Sequence, residues 1–211
     1  MNNLNYLTKI TLSLLILTLF ILGGCSSKPD LNLVPIEVTH VSQTKAWEMQ
    51  GKLAVRTPQD KFSTNLYWLH TDKQDELRLT TMLGTTVMSL SNNSSGASLT
   101  IEDKTYRDKD AERLLKRLTG WSIPIESLPL WITGQVADTD KVISTDEQTR
   151  PQLIQSTTGQ QPWQVSFKRW QQQSGAELPQ LLELSRENIR LKIQINQWQA
   201  LTENLDNQSS N

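Results

Sequence analysis

The 211 residues predict a mainly β (α+β) fold: one curved antiparallel sheet, or incomplete barrel, with an inserted α-helical lid across its concave side, an arrangement that can enclose an apolar cavity. Three observations carry this reading. Short strand-like segments separated by turn residues run from Trp47 to Tyr106 and resume from Lys141 to Trp198. Between them the apolar period changes from two to about 3.6. No repeat of solenoid period is present. Strands, then helices, then strands again place the helices as an insert that must pack on a sheet face.

In the first strand, Trp47, Met49, Gly51, Leu53 and Val55 share one parity, and Gly51 interrupts the row where a bend or bulge is expected. Thr57-Pro58-Gln59-Asp60 is turn chemistry. Phe62–Leu69 carries Phe62, Thr64, Leu66 and Trp68 on one face, and Glu76–Thr81 and Thr85–Ser91 follow. Ala97–Glu102 and Lys104–Tyr106 form a hairpin through Asp103. Ala111, Leu114, Leu115 and Leu118 then lie at helical spacing, with Asp108 or Asp110 to cap the start and Gly120 to stop it. A second short helix begins after Ser127, with Pro129 in its first turn and Gly134 at its end. Strands return at Lys141–Thr145, Gln152–Thr157, Trp163–Trp170, Leu181–Ser185 and Ile189–Trp198. In the last, Ile189, Leu191, Ile193 and Ile195 alternate with Arg190, Lys192, Gln194 and Asn196.

The amino terminus reads as an address. Ile10–Leu22 is mostly apolar, and as a helix it would span about 20 Å, short of a bilayer core of about 30 Å. With Lys9 before it, this is the h-region of a secretory signal. Leu22-Gly23-Gly24-Cys25 follows, and two small residues before a cysteine resemble the bacterial lipobox. That resemblance implies cleavage after Gly24 and a covalent lipid on Cys25, with Ser26 rather than Asp at the next position pointing to the outer membrane. The organisation expected is a signal peptide over 1–24, a lipidated and flexible tether over 25–44, a folded domain over 45–198 and a disordered tail over 199–211.

Composition excludes most chemistry. The net charge of −1 offers no basic footprint for nucleic acid. Two histidines, His40 and His70, and one cysteine leave no intrachain disulfide, four-cysteine zinc site or multi-histidine site. No enzyme, metal or cofactor is expected. His70 sits in a polar turn and His40 in the tether, where solvation accounts for both. Trp163 and Trp170, seven residues apart, should lie on opposite strand faces. Leu66, Trp68, Leu79, Trp121 and Trp131 either fill an ordinary core or wall a cavity. Leu83 lies between two strand patterns, where a turn is due, and turns seldom place Met-Leu at their tip.

Several stretches together resemble the LolB family of outer-membrane lipoprotein receptors: Gly51-Lys52-Leu53-Ala54-Val55-Arg56, Leu66-Tyr67-Trp68, Leu77 to Thr86, Leu118 to Pro124, Leu128 to Gly134, the closing strand and the lipobox. The resemblance implies a monomeric, lipid-anchored protein on the periplasmic face of the outer membrane. Such a protein accepts lipoproteins from the soluble carrier LolA and places them in the inner leaflet without nucleotide hydrolysis. It assigns Met82, Leu83 and Gly84 to a membrane-inserting loop, and Leu66, Trp68, Leu79, Trp121 and Trp131 to the acyl-chain cavity. Family members often carry Pro before the exposed Leu; Met82 stands there instead. The implied partners are LolA, lipoprotein acyl chains and outer-membrane phospholipid. The alternative is a lipid-anchored envelope binding module without transfer activity.

Overall fold

The computed structural model describes residues 32–120, 122–156 and 162–204. The signal peptide, Cys25, Trp121 and the last seven residues therefore lie outside the described residues. Twelve strands form one antiparallel sheet: β1 (Leu33–Ile36), β2 (Ala46–Arg56), β3 (Lys61–His70), β4 (Gln74–Thr80), β5 (Thr86–Asn93), β6 (Gly96–Ile101), β7 (Lys104–Asp108), β8 (Lys141–Thr145), β9 (Pro151–Gln155), β10 (Gln164–Gln173), β11 (Ala176–Arg186) and β12 (Ile189–Glu203). Their spatial order is β7-β6-β5-β4-β3-β2-β12-β11-β10-β9-β8, with β1 beside β12 off this path.

The sheet ends at β7 on one side and β8 on the other. The chain must cross from one open edge to the other, and it does so through α1 (Ala111–Thr119) and α2 (Leu128–Ile132). Leu114, Leu115, Ile123, Ile125, Leu128, Trp131 and Ile132 are all buried in the core shared with the inner sheet residues, so the crossing runs over the inner face. At nine and five residues the helices are too short to persist unaided, and packing on the sheet is what holds them. Asp110 caps α1 by accepting from the Arg113 amide at 2.9 Å, and Gly120 closes it in the left-handed region.

The pairing of β2 with β12 is the centre of the sheet. Leu53 faces Ile193 and Val55 faces Leu191, and the register slips between Ile195 and Gln197, opposite Gly51. A Cβ at Gly51 would stand 2.0 Å from the Gln194 carbonyl oxygen. The glycine thus permits a close approach of two backbones. Gly51→Ala is expected to force the strands apart and cost at least about 1–3 kcal/mol, read as a lower midpoint in thermal or urea melting.

Three expectations are corrected. The tether anticipated over 25–44 is ordered in its second half: Leu33–Ile36 pairs with Ala200–Glu203, and Gln43 Oε1 accepts from the amides of Thr39 (2.8 Å) and His40 (3.1 Å). The physical reason is an unfilled edge. β11 pairs with β12 only from Leu181 to Arg186, and the length of β12 beyond that needs another partner. For the same reason the tail expected from residue 199 is strand as far as Glu203. Pro179 is tolerated inside β11 because it pairs there with β10 alone. Finally, register irregularities around Arg169 in β10 reverse the parity that a regular strand would impose. Trp170 packs against the core 5.8 Å from the Phe167 ring, on the same side as the fully buried Trp163, not opposite to it.

Candidate functional site

Beneath the helices lies a cavity of ≈ 60 Å³ with thirteen lining residues, all of them apolar. The sheet supplies Leu53 from β2, Leu66 and Trp68 from β3, Leu77 and Leu79 from β4, Met88 and Leu90 from β5, and Leu191 and Ile193 from β12. The roof is Leu115 of α1, Ile123 and Ile125 of the link, and Leu128 of α2. Strand alternation explains the floor: inward residues recur at every second position, as in Leu191-Lys192-Ile193 and Leu77-Arg78-Leu79. The one side-chain N–H among these residues, the Trp68 indole, is taken by Asp75 at 2.9 Å, so the cavity is suited to aliphatic groups. A void of this size holds a few water molecules at most and is far smaller than one acyl chain. Accommodating a chain would require the walls or the roof to move apart.

Among the described residues, a small set of polar contacts holds the roof. Arg186 of β11 donates to the Ser122 carbonyl at 2.6 Å, and its guanidinium lies 4.7 Å from the centre of the Trp163 ring. The Ser122 hydroxyl donates to Glu112 on α1. Asp108, at the end of β7, accepts from Arg113 Nε at 3.0 Å and from Arg117 Nη1 at 2.9 Å. At the far side, Trp131 Nε1 donates to Asp140 at 2.8 Å.

The hydrogen bond from Arg113 holds the Asp108 carboxyl well below the usual carboxylate range, so the folded form prefers it ionised. The contribution is complete above about pH 4, the ordinary aspartate pKa, and is lost progressively as the pH falls below it. Acidification from pH 6 to pH 3 is expected to accelerate amide exchange of residues 111–119 beyond the intrinsic rate change. In Asp108→Asn the exchange should be fast already at pH 6 and less responsive to acid.

At one end of the cavity floor, Leu79 pairs with Met88, and the next pair outward is Thr80 with Thr86. There the chain turns over, leaving Met82 74% and Leu83 95% exposed. The turn is closed around Thr81: its amide donates to the Thr85 carbonyl (2.8 Å), its carbonyl accepts from Gly84 (3.0 Å), and its hydroxyl accepts from the Thr85 amide (3.2 Å). Gly84 has φ +86°, which a side chain would strain. A stapled turn thus presents an apolar tip a few residues from the cavity wall, with Met82 lying where the resemblance places Pro.

Of the candidate wall residues, the structure brings Leu66, Trp68 and Leu79 together in the cavity. Trp131 is wholly buried but does not line it; its indole is anchored to Asp140 instead. His70 is not a solvated turn residue. It ends β3, with Nδ1 2.7 Å from Asp75 and its ring 5.0 Å from Trp47. Arg186 and the Glu112–Ser122 contact have no counterpart in the sequence reading. Among the described residues no group of three or more His, Cys, Asp or Glu is placed to hold a metal.

The model of the family described as outer membrane lipoprotein LolB matches residues 45–198. The outer-membrane lipoprotein LolB of Shewanella loihica is 62% identical over 202 residues, covering 96% of this chain and 94% of that one. The chain belongs to the LolB family. The LolB of Shewanella sediminis is 59% identical over 202 residues, covering 96% of this chain and 92% of its own. Among solved structures, a LolA superfamily protein from Nitrosomonas europaea matches with TM-score 0.46 and 8% identity over 77% of this chain and 88% of the other. Membership in LolB makes this chain an outer-membrane lipoprotein concerned with lipoprotein localisation.

Proposed function

We propose that this chain accepts lipoproteins from the periplasmic carrier LolA and inserts them into the inner leaflet of the outer membrane, spending no nucleotide and anchored by a lipid on Cys25. The observation that carries the reading is the wholly apolar cavity under a lightly fastened roof. Three acyl chains hold roughly 45 methylene groups, whose exposure to water would cost on the order of 35 kcal/mol at ~0.8 kcal/mol each. Transit through the periplasm requires that the chains stay covered, and handover requires a second cover. Aliphatic walls provide one without directional bonds, and so accept many cargoes. Leu66, Trp68 and Leu79 serve as walls, Trp121 is assigned to the same role, and Trp131 fixes the roof through Asp140.

Delivery needs the cavity mouth at the bilayer. Burial of one Leu gains only ~1.5–3 kcal/mol, too little to anchor a protein but enough to seat a loop among headgroups. Met82, Leu83 and Gly84 fill that role.

The test is transfer of a radiolabelled lipoprotein from purified LolA to this chain, followed by transfer into liposomes. Cargo should leave LolA for this chain and then enter the vesicles with no nucleotide present. Cargo that stays on LolA would overturn the reading in favour of a binding module. The mature chain carrying Cys25→Ala should still accept cargo with unchanged yield, because the compact unit begins at Leu33; gel filtration of the labelled complex checks this.

A further inference from the structure

The β2–β3 hairpin lies at the same end of the sheet as the Leu83 loop. Asn65 pairs with Thr80, and continuing that antiparallel register carries Lys61, four residues back along β3, to the level of residues 81–85. At this end the sheet sets three cations side by side. Arg56 pairs with Lys61 across β2–β3 and with Arg190 across β2–β12. All three side chains are exposed, while their neighbours Val55 and Leu191 are buried, so the row stands on the outer face.

Like charges directly opposite one another in a sheet disfavour the fold. Nearby cations are neutralised: Lys192 and Lys168 lie 3.7 and 3.9 Å from Glu183. Among the described residues, no carboxylate makes an ion pair with Arg56, Lys61 or Arg190. The row borders an open pocket of ≈ 610 Å³ in which Glu183, already engaged, and Glu187 are the acids. Asp60, in the hairpin turn, is the other carboxylate close by in sequence. A chain of net charge −1 thus concentrates unpaired positive charge beside its exposed apolar tip.

We propose that the row Lys61–Arg56–Arg190 is a contact site for the phosphates of anionic phospholipid headgroups, and that it presses the Leu83 edge onto the acceptor membrane. This deepens the reading that Leu83 enters the bilayer and rests on it. A cation close to an anionic surface strengthens binding roughly fivefold, so three give on the order of 100-fold at low ionic strength, less as salt screens them. The tip and the row divide the work: apolar insertion is indifferent to lipid charge, and the row makes binding depend on it.

The experiment is sedimentation of the mature Cys25→Ala chain with vesicles of phosphatidylcholine alone or with 30% phosphatidylglycerol, at low and high salt. The parent should bind the anionic vesicles at least 10-fold more tightly at low salt. The combined variant Arg56→Gln, Lys61→Gln, Arg190→Gln should lose that preference while keeping its binding to neutral vesicles and melting no lower than the parent. A control with the same charge change at the opposite end of the sheet, Lys45→Gln, Lys73→Gln, Lys109→Gln, should keep the preference. Leu83→Ser, which removes the apolar tip without changing charge, should weaken binding to both vesicle types and leave their ratio unchanged. If it weakens neither, the insertion reading fails while the row is judged separately by its own variant. An unchanged preference in the row variant overturns the proposal. So does displacement of the parent by millimolar inorganic phosphate at matched ionic strength, which would mark a free-anion site. Normal vesicle binding with impaired uptake of cargo from LolA would assign the row to an acidic protein surface instead.

Discussion

Leu83→Glu is expected to leave the protein folded and able to take cargo from LolA, yet slow delivery into liposomes by at least 10-fold. The side chain is 95% exposed and the turn beneath it is closed by Thr81, so the substitution removes no packing and no hydrogen bond. Its effect should be confined to the step in which the tip meets lipid. There the variant forfeits the ~1.5–3 kcal/mol of a buried Leu and must in addition keep a carboxylate out of the apolar layer. Even the lower figure corresponds to more than a tenfold loss at a rate-limiting contact. Leu83→Ala, which keeps the tip neutral, should fall between. The measurements are the melting midpoint, the fraction of labelled lipoprotein moved from LolA, and its rate of entry into vesicles. A Leu83→Glu protein that delivers at the parental rate would remove the tip from the mechanism.

β12 was legible because four β-branched or Leu residues alternate with polar ones, a pattern that a half-buried strand requires. The α1 stop was legible from Gly120 and its start was narrowed to Asp108 or Asp110, of which Asp110 is the cap. The Leu83 tip was legible because apolar residues at a turn contradict the ordinary use of turns. Other features leave no such mark. The reversed parity at Trp170 arises from an irregularity in pairing with β11, which no residue in β10 announces. β1 exists because β12 outruns β11, a fact about two distant strands. Leu66 in a cavity wall and Leu66 in a filled core are the same residue on the same strand face; what separates them is the volume left above it. Arg186 bonds to a main-chain carbonyl, and carbonyls are invisible in a sequence.

Arg186→Ala is expected to shift the closed roof toward open. Among the described residues, its hydrogen bond to the Ser122 carbonyl ties the inter-helix link directly to the sheet by a charged donor, and the guanidinium also covers the Trp163 ring. A hydrogen bond to a charged group contributes about 1.5–3 kcal/mol. Losing the lower amount alone raises the open population on the order of 10-fold. Of the remaining fastenings, Asp108 with Arg113 and Arg117 and Trp131 with Asp140 hold the two helices, and the Ser122 hydroxyl ties the link only to Glu112 of α1, itself part of the roof. Opening should therefore start at residues 122–127, the stretch that carries Ile123 and Ile125 over the cavity. Amide exchange in that stretch should quicken by roughly the same factor, and a polarity-sensitive apolar dye should bind without cargo present. Function should move in opposite directions at the two steps. An easier opening speeds uptake from LolA, whereas a roof that no longer recloses with the same force offers less drive to expel the chains, so release into vesicles slows. Arg186→Lys keeps a cation but neither the planar donor fork nor the stacking, and should recover only part of the closure. Exchange rates in 122–127 identical to those of the parent would show that apolar packing alone holds the roof, and that Arg186 has no part in its closure.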